Sequence, residues 1–558
     1  MSTAINRRSF IAAAGAAAAG TALVSGASLS TATAAEAPAS SWRVAPDPVD
    51  ESLITAEYAA DFLIIGLGYA GCNAAHTLTE AGADVIGIDY QSEENFMVTA
   101  MDYGHINSQF LADHGVPKAD PIEFFNNWML QSLNIANPDL IRQYTNNCGD
   151  ACDWYLSYLD PAWVEENVST DYWPDDNGML LSEVNNQHFY VGTAQFHNRN
   201  MSDAHRVHLK AIVDEGGTIH YDTRAQYLIK DGDRVIGCVA KNGDGEYVRY
   251  LGNKAVCLCT GDFGTNEEMR EELLPQIADT VNSPDEWFSD GRSGDGHKMG
   301  VWAGGRLEPR PLPAMELPYQ PFAPFMPMNA LWLDYQGKRF CNEFFGDSAW
   351  NGRALVNMHR EAIYTLNDSK VTEQLYSIPS HCRFDPSEEG SIAGLQDLMD
   401  QAVAAGAEGV EHPMGQFAFT YYAANDLETL ADYAGLTGEA KENLVASVTR
   451  YNELCEKGVD EDYGKDSRLM FPISEPPYFI SVQPIHCIGN YGVTVGGFLT
   501  TGDQQVLDQN YDPIPGLYAS GNTCGRRFGY NYFTPCAGVS CGIANTLGRV
   551  LGQHLLTL

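Results

Sequence analysis

The sequence predicts an α/β fold: a Rossmann-like dinucleotide-binding domain into which an α+β capping domain is inserted. Three observations carry that prediction. In residues 61–90 an apolar run, Phe62 to Ile65, leads into Gly66-Leu67-Gly68-Tyr69-Ala70-Gly71, an Ala-rich segment of helical character, a second apolar run from Val85 to Ile88, and then Asp89. Strand-then-glycine patterns return far downstream, at 254–264 and 515–522. Between them a stretch with seven prolines, 309–327, breaks the pattern and opens a block of different character.

In the first unit each glycine has its own task. Gly66 permits the tight turn, Gly68 lets a pyrophosphate approach the backbone, and Gly71 lets helix and strand pack closely. The pyrophosphate then rests on the free N–H groups and positive end of the helix that follows. Asp89, 18 residues beyond Gly71, is placed to accept a hydrogen bond from a ribose hydroxyl. A plain glycine turn in an α/β core would not require the acid at that point.

At 558 residues the chain is long enough for more than one core, because single cores stop growing near about 250–300 residues. A formal net charge of −40 repels phosphates, which excludes nucleic acid and anionic membrane surfaces as partners. Residues 1–35 read as an address. Asn6-Arg7-Arg8-Ser9-Phe10-Ile11 is a twin-arginine pattern, an Ala-rich apolar segment runs to about Ser28, and Ala32-Thr33-Ala34 is a small-residue cleavage site. The expectation is a protein exported by the twin-arginine route to the periplasmic or extracytoplasmic face, folded around its cofactor first. No window is long and apolar enough to span a bilayer, so an integral membrane protein is not expected. Residues 36–58, rich in Ala, Pro and Ser at their start, read as a linker.

The 13 cysteines are odd in number, and Cys72, Cys257 and Cys259 fall in core elements, which suits buried thiols. No CxxCH occurs. The spacings of Cys148 with Cys152, and of Cys524, Cys536 and Cys541, match no iron–sulfur pattern, so no metal site is expected.

Taken in order, 91–107 reads as a loop holding Tyr103-Gly104-His105, and 121–159 as helical, with aromatics and leucines at core spacing. A helix at 205–215, a short strand at 218–221 and antiparallel strands at 225–239 and 247–251 follow, turned at Asp231-Gly232-Asp233 and Asn242-Gly243-Asp244-Gly245. A separate buried strand is expected at 254–259. A boundary near Glu308 gives 59–308 as the first part of the nucleotide domain, 309–480 as the cap, and 481–558 as the second part. Cap helices are expected at 395–405, 427–434 and 439–455, and a small-residue helix at 537–556.

These motifs together resemble the flavoprotein family that contains fumarate reductase, urocanate reductase and 3-ketosteroid dehydrogenase, from about residue 59 to the end. Thr260-Gly261-Asp262-Phe263-Gly264 is similar to the family's second FAD segment, usually TGGFG. Gly337-Lys338-Arg339-Phe340-Cys341-Asn342-Glu343 resembles its GKRFxNE hairpin, with Arg450–Cys455 and Asp460–Lys465 similar to a cap helix and turn. Thr494-Val495-Gly496-Gly497 and Gly516-Leu517-Tyr518-Ala519-Ser520-Gly521 complete the likeness. The resemblance implies FAD, held by a two-part domain with a mobile cap. It places at the cofactor Gly66, Gly68, Tyr69, Ala70, Gly71, Asp89, Tyr90 and Asn95, then Gly104 and His105. From later in the chain it adds Ala225, Thr260, Gly261, Asp262, Gly521, Asn522, Ala537, Gly538 and Val539.

The resemblance also marks departures. Positions where dicarboxylate reductases carry a proton-donating arginine, a second arginine after a GxN, and a histidine before TxGG are here Met326, Tyr532 and Val493. Each change removes a group that would grip a carboxylate. Tyr532, in GYNYFTP, corresponds to the tyrosine that ketosteroid dehydrogenases set at the substrate carbonyl. A phenol with a pKa near about 10 is protonated at neutral pH and can deliver a proton. Tyr532 is the expected catalytic residue, with Tyr530 beside it and backbone N–H groups near Gly529 or Gly538 for a developing oxyanion. Packing on the flavin ring is the alternative role for either tyrosine. Tyr103 and Tyr319 are further candidates. Arg526 and Arg527 could pair with an FAD phosphate or flavin O2, hold an anionic substrate, or face solvent, with Arg527 taken as the catalytic candidate of the pair.

The expected function is reduction of a C=C bond conjugated to a carbonyl in a small neutral unsaturated substrate, such as an enone, lactone, steroid or plant aromatic. Electrons would come from an external cytochrome or flavoprotein, since the sequence shows no haem motif or second nucleotide motif. The reverse dehydrogenation of a ketosteroid, and a non-catalytic electron relay, are the alternatives.

Overall fold

Alternating apolar, β-branched runs and Ala-rich amphipathic segments settle into one eight-stranded sheet with helices against it. The structure, a computed structural model, describes residues 41–98, 102–170, 193–197, 201–275, 291–315, 330–343, 362–375, 390–414, 417–484, 493–530 and 532–558. In the sheet the strands run in the order Gln505–Leu507, Pro513–Ala519, Tyr247–Leu258, Ile54–Ile65, Val85–Ile88 and Thr218–His220. The four pairings at its centre, from Pro513–Ala519 across to Thr218–His220, are parallel. Arg224–Asp231 and Arg234–Lys241 add an antiparallel hairpin on Tyr247–Leu258.

The first strand is wholly buried from Phe62 to Ile65, as a strand covered on both faces must be. Each such side chain contributes on the order of 2 kcal/mol by leaving water. On one face its residues join Ile86, Val256 and Leu517; on the other they meet the helices Tyr69–Glu80 and Val539–Leu555. Those two helices pack closely because the second presents glycines. A Cβ on Gly548 would lie 2.3 Å from Ala70 O, and one on Gly552 2.8 Å from Ala74 O. Asn73 Nδ2 donates to Asn545 Oδ1 at 2.6 Å across the same seam.

Two local expectations change. The strand read as beginning at 254 is one continuous strand with the hairpin before it, Tyr247–Leu258, pairing with Ile54–Ile65 along its length. Gly252 conceals the continuity in the sequence, but a Cβ there would lie 2.4 Å from Ala255 O, so the glycine accommodates an irregularity within the strand. The linker read at 36–58 is anchored from Ser41 onward. Trp42 is buried, its Nε1 donates to Glu272 at 2.9 Å, its carbonyl accepts from Trp302, and the first strand already starts at Ile54. One aromatic anchor outweighs the loop-like composition around it. The twin-arginine segment lies outside the described residues.

A second, five-stranded antiparallel sheet takes its strands from 331–484, in the order Leu331–Asp334, Ala362–Asn367, Tyr478–Pro484, Phe417–Ala424 and Val410–Met414. Helices Leu427–Tyr433 and Glu439–Lys457 cover it through Leu430, Leu444, Val448 and Tyr451. Every cysteine among the described residues is a free thiol, and nearly all are buried. No helix among them is long and apolar enough to cross a membrane.

Candidate active site

The turn after the first strand is shaped by its three glycines in three ways. Gly66 has φ +91, and a Cβ there would sit 2.5 Å from Cys259 O. A Cβ on Gly71 would lie 1.9 Å from Gly66 O, so turn and helix touch. Gly68 is different: a Cβ there meets nothing within 4 Å. Gly68 caps the helix without a side-chain bond, so the N–H groups of the first turn, around Tyr69 and Ala70, face that open space.

Asp89 is buried, with Oδ2 accepting from Leu67 N at 2.7 Å and Oδ1 from Gln91 N at 2.9 Å. Burial pushes its acid up to about 6 against the pull of these amides. Its first work is therefore to clamp the glycine turn. Each carboxylate oxygen can accept twice, which leaves capacity for a ribose hydroxyl. Tyr90 is partly exposed, with the Arg224 guanidinium 5.9 Å from its ring centre. Ala225 is buried in the same neighbourhood, where Thr223 N donates to Asp89 O. Asn95 is not brought in: it is exposed, and its side-chain amide donates to Ser92 Oγ at 3.2 Å in a local turn.

Within the segment read as a loop, Asp102–Gly104 is a short strand, paired antiparallel with Thr193–Phe196, and it lies against the last helix. Gly104 N donates to Gly538 O at 3.0 Å, and a Cβ on Gly104 would lie 2.2 Å from Ala537 O. Gly538, left-handed with φ 67, then opens the helix Val539–Leu555 without a side-chain cap, so this second helix start also has free N–H groups. The His105 side chain braces its own segment. Its nitrogens bond Tyr103 O at 2.8 Å and Ser108 Oγ at 2.7 Å, and burial pulls its pKa down to about 4. Tyr103 is displaced from the chemistry. It is buried with Tyr155, Trp154 and Cys541, in a different cluster from Tyr532, and burial pushes its hydroxyl well up.

The Asp262 side chain is engaged within the protein. Both its oxygens hold the Arg292 guanidinium, and Oδ2 also accepts from Thr494 N at 2.7 Å. It ties the Thr260-Gly261 turn to the Thr494–Gly497 loop. Gly261 and Gly521 take positive φ, 75 and 63, and Thr260 Oγ1 meets Thr523 Oγ1 at 3.3 Å, which brings the two strand ends together beside Ala70.

Past Asn522 the chain builds the chemical end of the site. Tyr532 is 6% exposed, in a cluster with Val495, Phe528, Phe533 and, at its edge, Met315 and Val493; its ring lies 4.9 Å from that of Phe528. Tyr530 is 38% exposed, with Arg526 5.9 Å above its ring. Arg527 is fully buried, with Nε on Cys524 O and Nη2 on Val495 O and Asn522 Oδ1, each at 2.9 Å. Its carbonyl accepts from Trp128 Nε1 at 2.7 Å, and Arg526 O accepts from Asn137 N at 2.7 Å. Tyr319 and Met326 lie outside the described residues.

Glu308 belongs to the site as well, although the sequence reading used it only as a boundary. Its Oε1 accepts from Gly497 N at 3.0 Å and its Oε2 from Arg526 N at 3.1 Å. Burial pushes its acid up to about 7, opposed by Arg526, the two amides and Arg527. The sequence hides it, because Arg306 and Arg310 flank Glu308 and make the segment look solvent-facing.

Two helix starts without side-chain caps, an open space at Gly68, and buried polar atoms without partners among the described residues, Ser520 Oγ and Arg527 Nη1, fit a long, phosphate-bearing dinucleotide. The fold and cradle thus define a dinucleotide-binding protein. A family described as "FAD binding domain" matches residues 61–540, and the chain belongs to that family. It is similar to a vinyl phenol reductase of Lactiplantibacillus plantarum, 23% identical over 88% of this chain and 96% of that protein. It is also similar to two proteins of Eggerthella lenta. One is a urocanate reductase, 25% identical over 89% of this chain and 75% of that one. The other is a digoxin reductase, 24% identical over 99% and 97%. Among solved structures its fold matches a flavocytochrome c3 fumarate reductase with TM-score 0.59 at 20% identity, covering 93% of this chain and 82% of that one. It also matches a 3-ketosteroid Δ4-(5α)-dehydrogenase of Rhodococcus jostii with TM-score 0.63 at 20% identity, covering 90% and 99%. The protein is an FAD-dependent oxidoreductase of the group acting on CH–CH and C=C bonds.

Proposed function

We propose that this protein reduces a C=C bond conjugated to an electron-withdrawing group in a small neutral substrate, with Tyr532 as the proton donor. The observation that carries the reading is an apolar collar at a buried tyrosine: Tyr532 is 6% exposed and clusters with Val493, Val495, Phe528 and Phe533. The names of two relatives, vinyl phenol reductase and digoxin reductase, agree with an uncharged unsaturated substrate. When bound, the flavin supplies the hydride that the β-carbon receives. Tyr532 then gives its proton to the α-carbon, and the apolar collar keeps competing water away. Electrons reach the site from an external cytochrome or flavoprotein, and export by the twin-arginine route places the reaction outside the cytoplasmic membrane.

The test mixes pre-reduced holoenzyme with enones, unsaturated lactones, 4-vinylphenol and fumarate in a stopped-flow instrument. Reoxidation by at least one neutral substrate and not by fumarate is expected. In Tyr532→Phe, with FAD content unchanged, the rate should drop by about 10²–10⁴, the usual share of a general acid. Rapid reoxidation by fumarate, or a full rate in the variant, would refute the reading.

A further inference from the structure

Two adjacent arginines lie past Asn522, with one carboxylate, Glu308, against the first of them, and we propose that Arg527, supported by Arg526, receives an anionic oxygen that arrives or develops during turnover. Arg527 is fully buried, and its Nε and Nη2 bond only neutral oxygens, those of Cys524, Val495 and Asn522. Its Nη1 has no partner among the described residues, and no described carboxylate lies within ion-pair distance of it. Arg526 sits in the left-handed region with φ 55, a strained choice for a side-chain-bearing residue. Its own Nη1 is also buried without a partner among the described residues, and its Nε is 3.9 Å from Glu308 Oε2.

Glu308 cannot balance both. Its oxygens already accept from Gly497 N and Arg526 N, and one carboxylate carries at most one negative charge against two guanidinium groups. An arginine does not deprotonate in proteins. The buried balance is therefore positive by at least one charge. An unmatched interior cation costs several kcal/mol, and such a cation is retained where an outside anion meets it, as at sites that stabilise charge developing in a transition state.

Nη2 of Arg527 is held by Val495 O and Asn522 Oδ1, and Cys524, Glu308 and Tyr532 lie close enough to act on its charge. Two oxygens of the required chemistry arise there: the pyrimidine-end oxygen of the flavin, which gains negative charge on reduction, and the carbonyl oxygen of a substrate, which becomes an enolate when hydride adds to the β-carbon. Both are planar oxygens with an in-plane lone pair, which a guanidinium edge suits. The inference rests on the flavin site and not on Tyr532 as acid.

The experiment uses the FAD-loaded protein and two probes. Sulfite, which gives an anionic complex with oxidised flavin, is followed by bleaching of the visible band. 4-Nitrophenolate, a planar enolate mimic, is compared with neutral nitrobenzene through the perturbed flavin spectrum. Arg527→Met should weaken sulfite at least tenfold if the oxygen is the cofactor's. It should weaken 4-nitrophenolate at least tenfold, with nitrobenzene unchanged, if the oxygen is the substrate's. Arg527→Lys, which keeps the charge, should restore most of either loss. Unchanged binding of both anions in Arg527→Met overturns the proposal. If that variant does not fold with FAD, the unaltered protein decides: it must bind 4-nitrophenolate at least tenfold more tightly than nitrobenzene or bind sulfite, and failure of both overturns the proposal. Tyr532→Phe should leave both anions bound, so loss of the acid assignment and loss of the anion site are read separately.

Discussion

Glu308 and Asp89 are carboxylic acids with little access to water, and both titrate late as a result. Burial raises Glu308 from its ordinary 4.5 to about 7 and Asp89 from 3.8 to about 6. In each the native state holds its proton over a range where the unfolded chain has lost it. The associated stability is therefore fully present below the unfolded values and is lost as pH rises through the folded ones. Each shift corresponds to roughly 3 kcal/mol. Urea midpoints of the holoenzyme should accordingly fall between about pH 5 and about pH 8. Glu308→Gln should be less stable throughout, because it leaves an amide of the Gly497 or Arg526 loop poorly matched. Its stability should nevertheless decline with pH by about 3 kcal/mol less than that of the unaltered protein. Parallel pH profiles for the two proteins would show that Glu308 is ionised early.

At the scale of an element, the glycine turn separates what folding needs from what the cofactor needs. Gly71→Ala places a methyl 1.9 Å from Gly66 O, backbone against backbone, and should prevent the turn from closing. Gly68→Ala meets no atom within 4 Å and keeps a permitted φ of −64. The FAD-free Gly68→Ala protein should lose no more than about 1 kcal/mol, the usual cost of a cap change. Its affinity for FAD should fall tenfold or more, about 1.4 kcal/mol, read by fluorescence quenching on titration. Normal FAD binding in that variant would mean that the pyrophosphate lies elsewhere. This unit was legible in the sequence because all its determinants fall within 30 residues of chain: turn, helix and acid each have a local cause. The partners of Asp262 were not legible for the converse reason: Arg292 and Thr494 lie 30 and 232 residues away.

For the molecule as a whole, the same difference in range decides what could be read. The cap helices at 427–433 and 439–457 show in their periodicity, whereas the sheet beneath them joins strands from Leu331 to Pro484 in an order that no local pattern encodes. What links the cap's remote motifs is charge. Arg339 of the hairpin donates to Glu343 at 2.8 Å and to Asp460 at 2.8 and 3.0 Å, and Lys465 lies 3.3 Å from Glu343. All four side chains are buried, or almost so. Two cations and two carboxylates thus fasten the hairpin to the turn after the helix Glu439–Lys457, on which Gly337 already packs against Ala440 O. Surface ion pairs contribute little, but removing one member of a buried set strands its partners. Arg339→Met leaves Asp460 without its cation and should destabilise the cap by about 3–5 kcal/mol. Lysine at this place cannot reproduce the two forks to Glu343 and Asp460, so Arg339→Lys should fall between the two. Because the network lies within 331–484 and the cradle outside it, urea unfolding followed by hydrogen exchange of the amides in 331–484 and by flavin absorbance should show the exchange transition moving first. A shift below about 1 kcal/mol, the range of exposed pairs, would mean that water reaches these charges and that packing alone holds the hairpin.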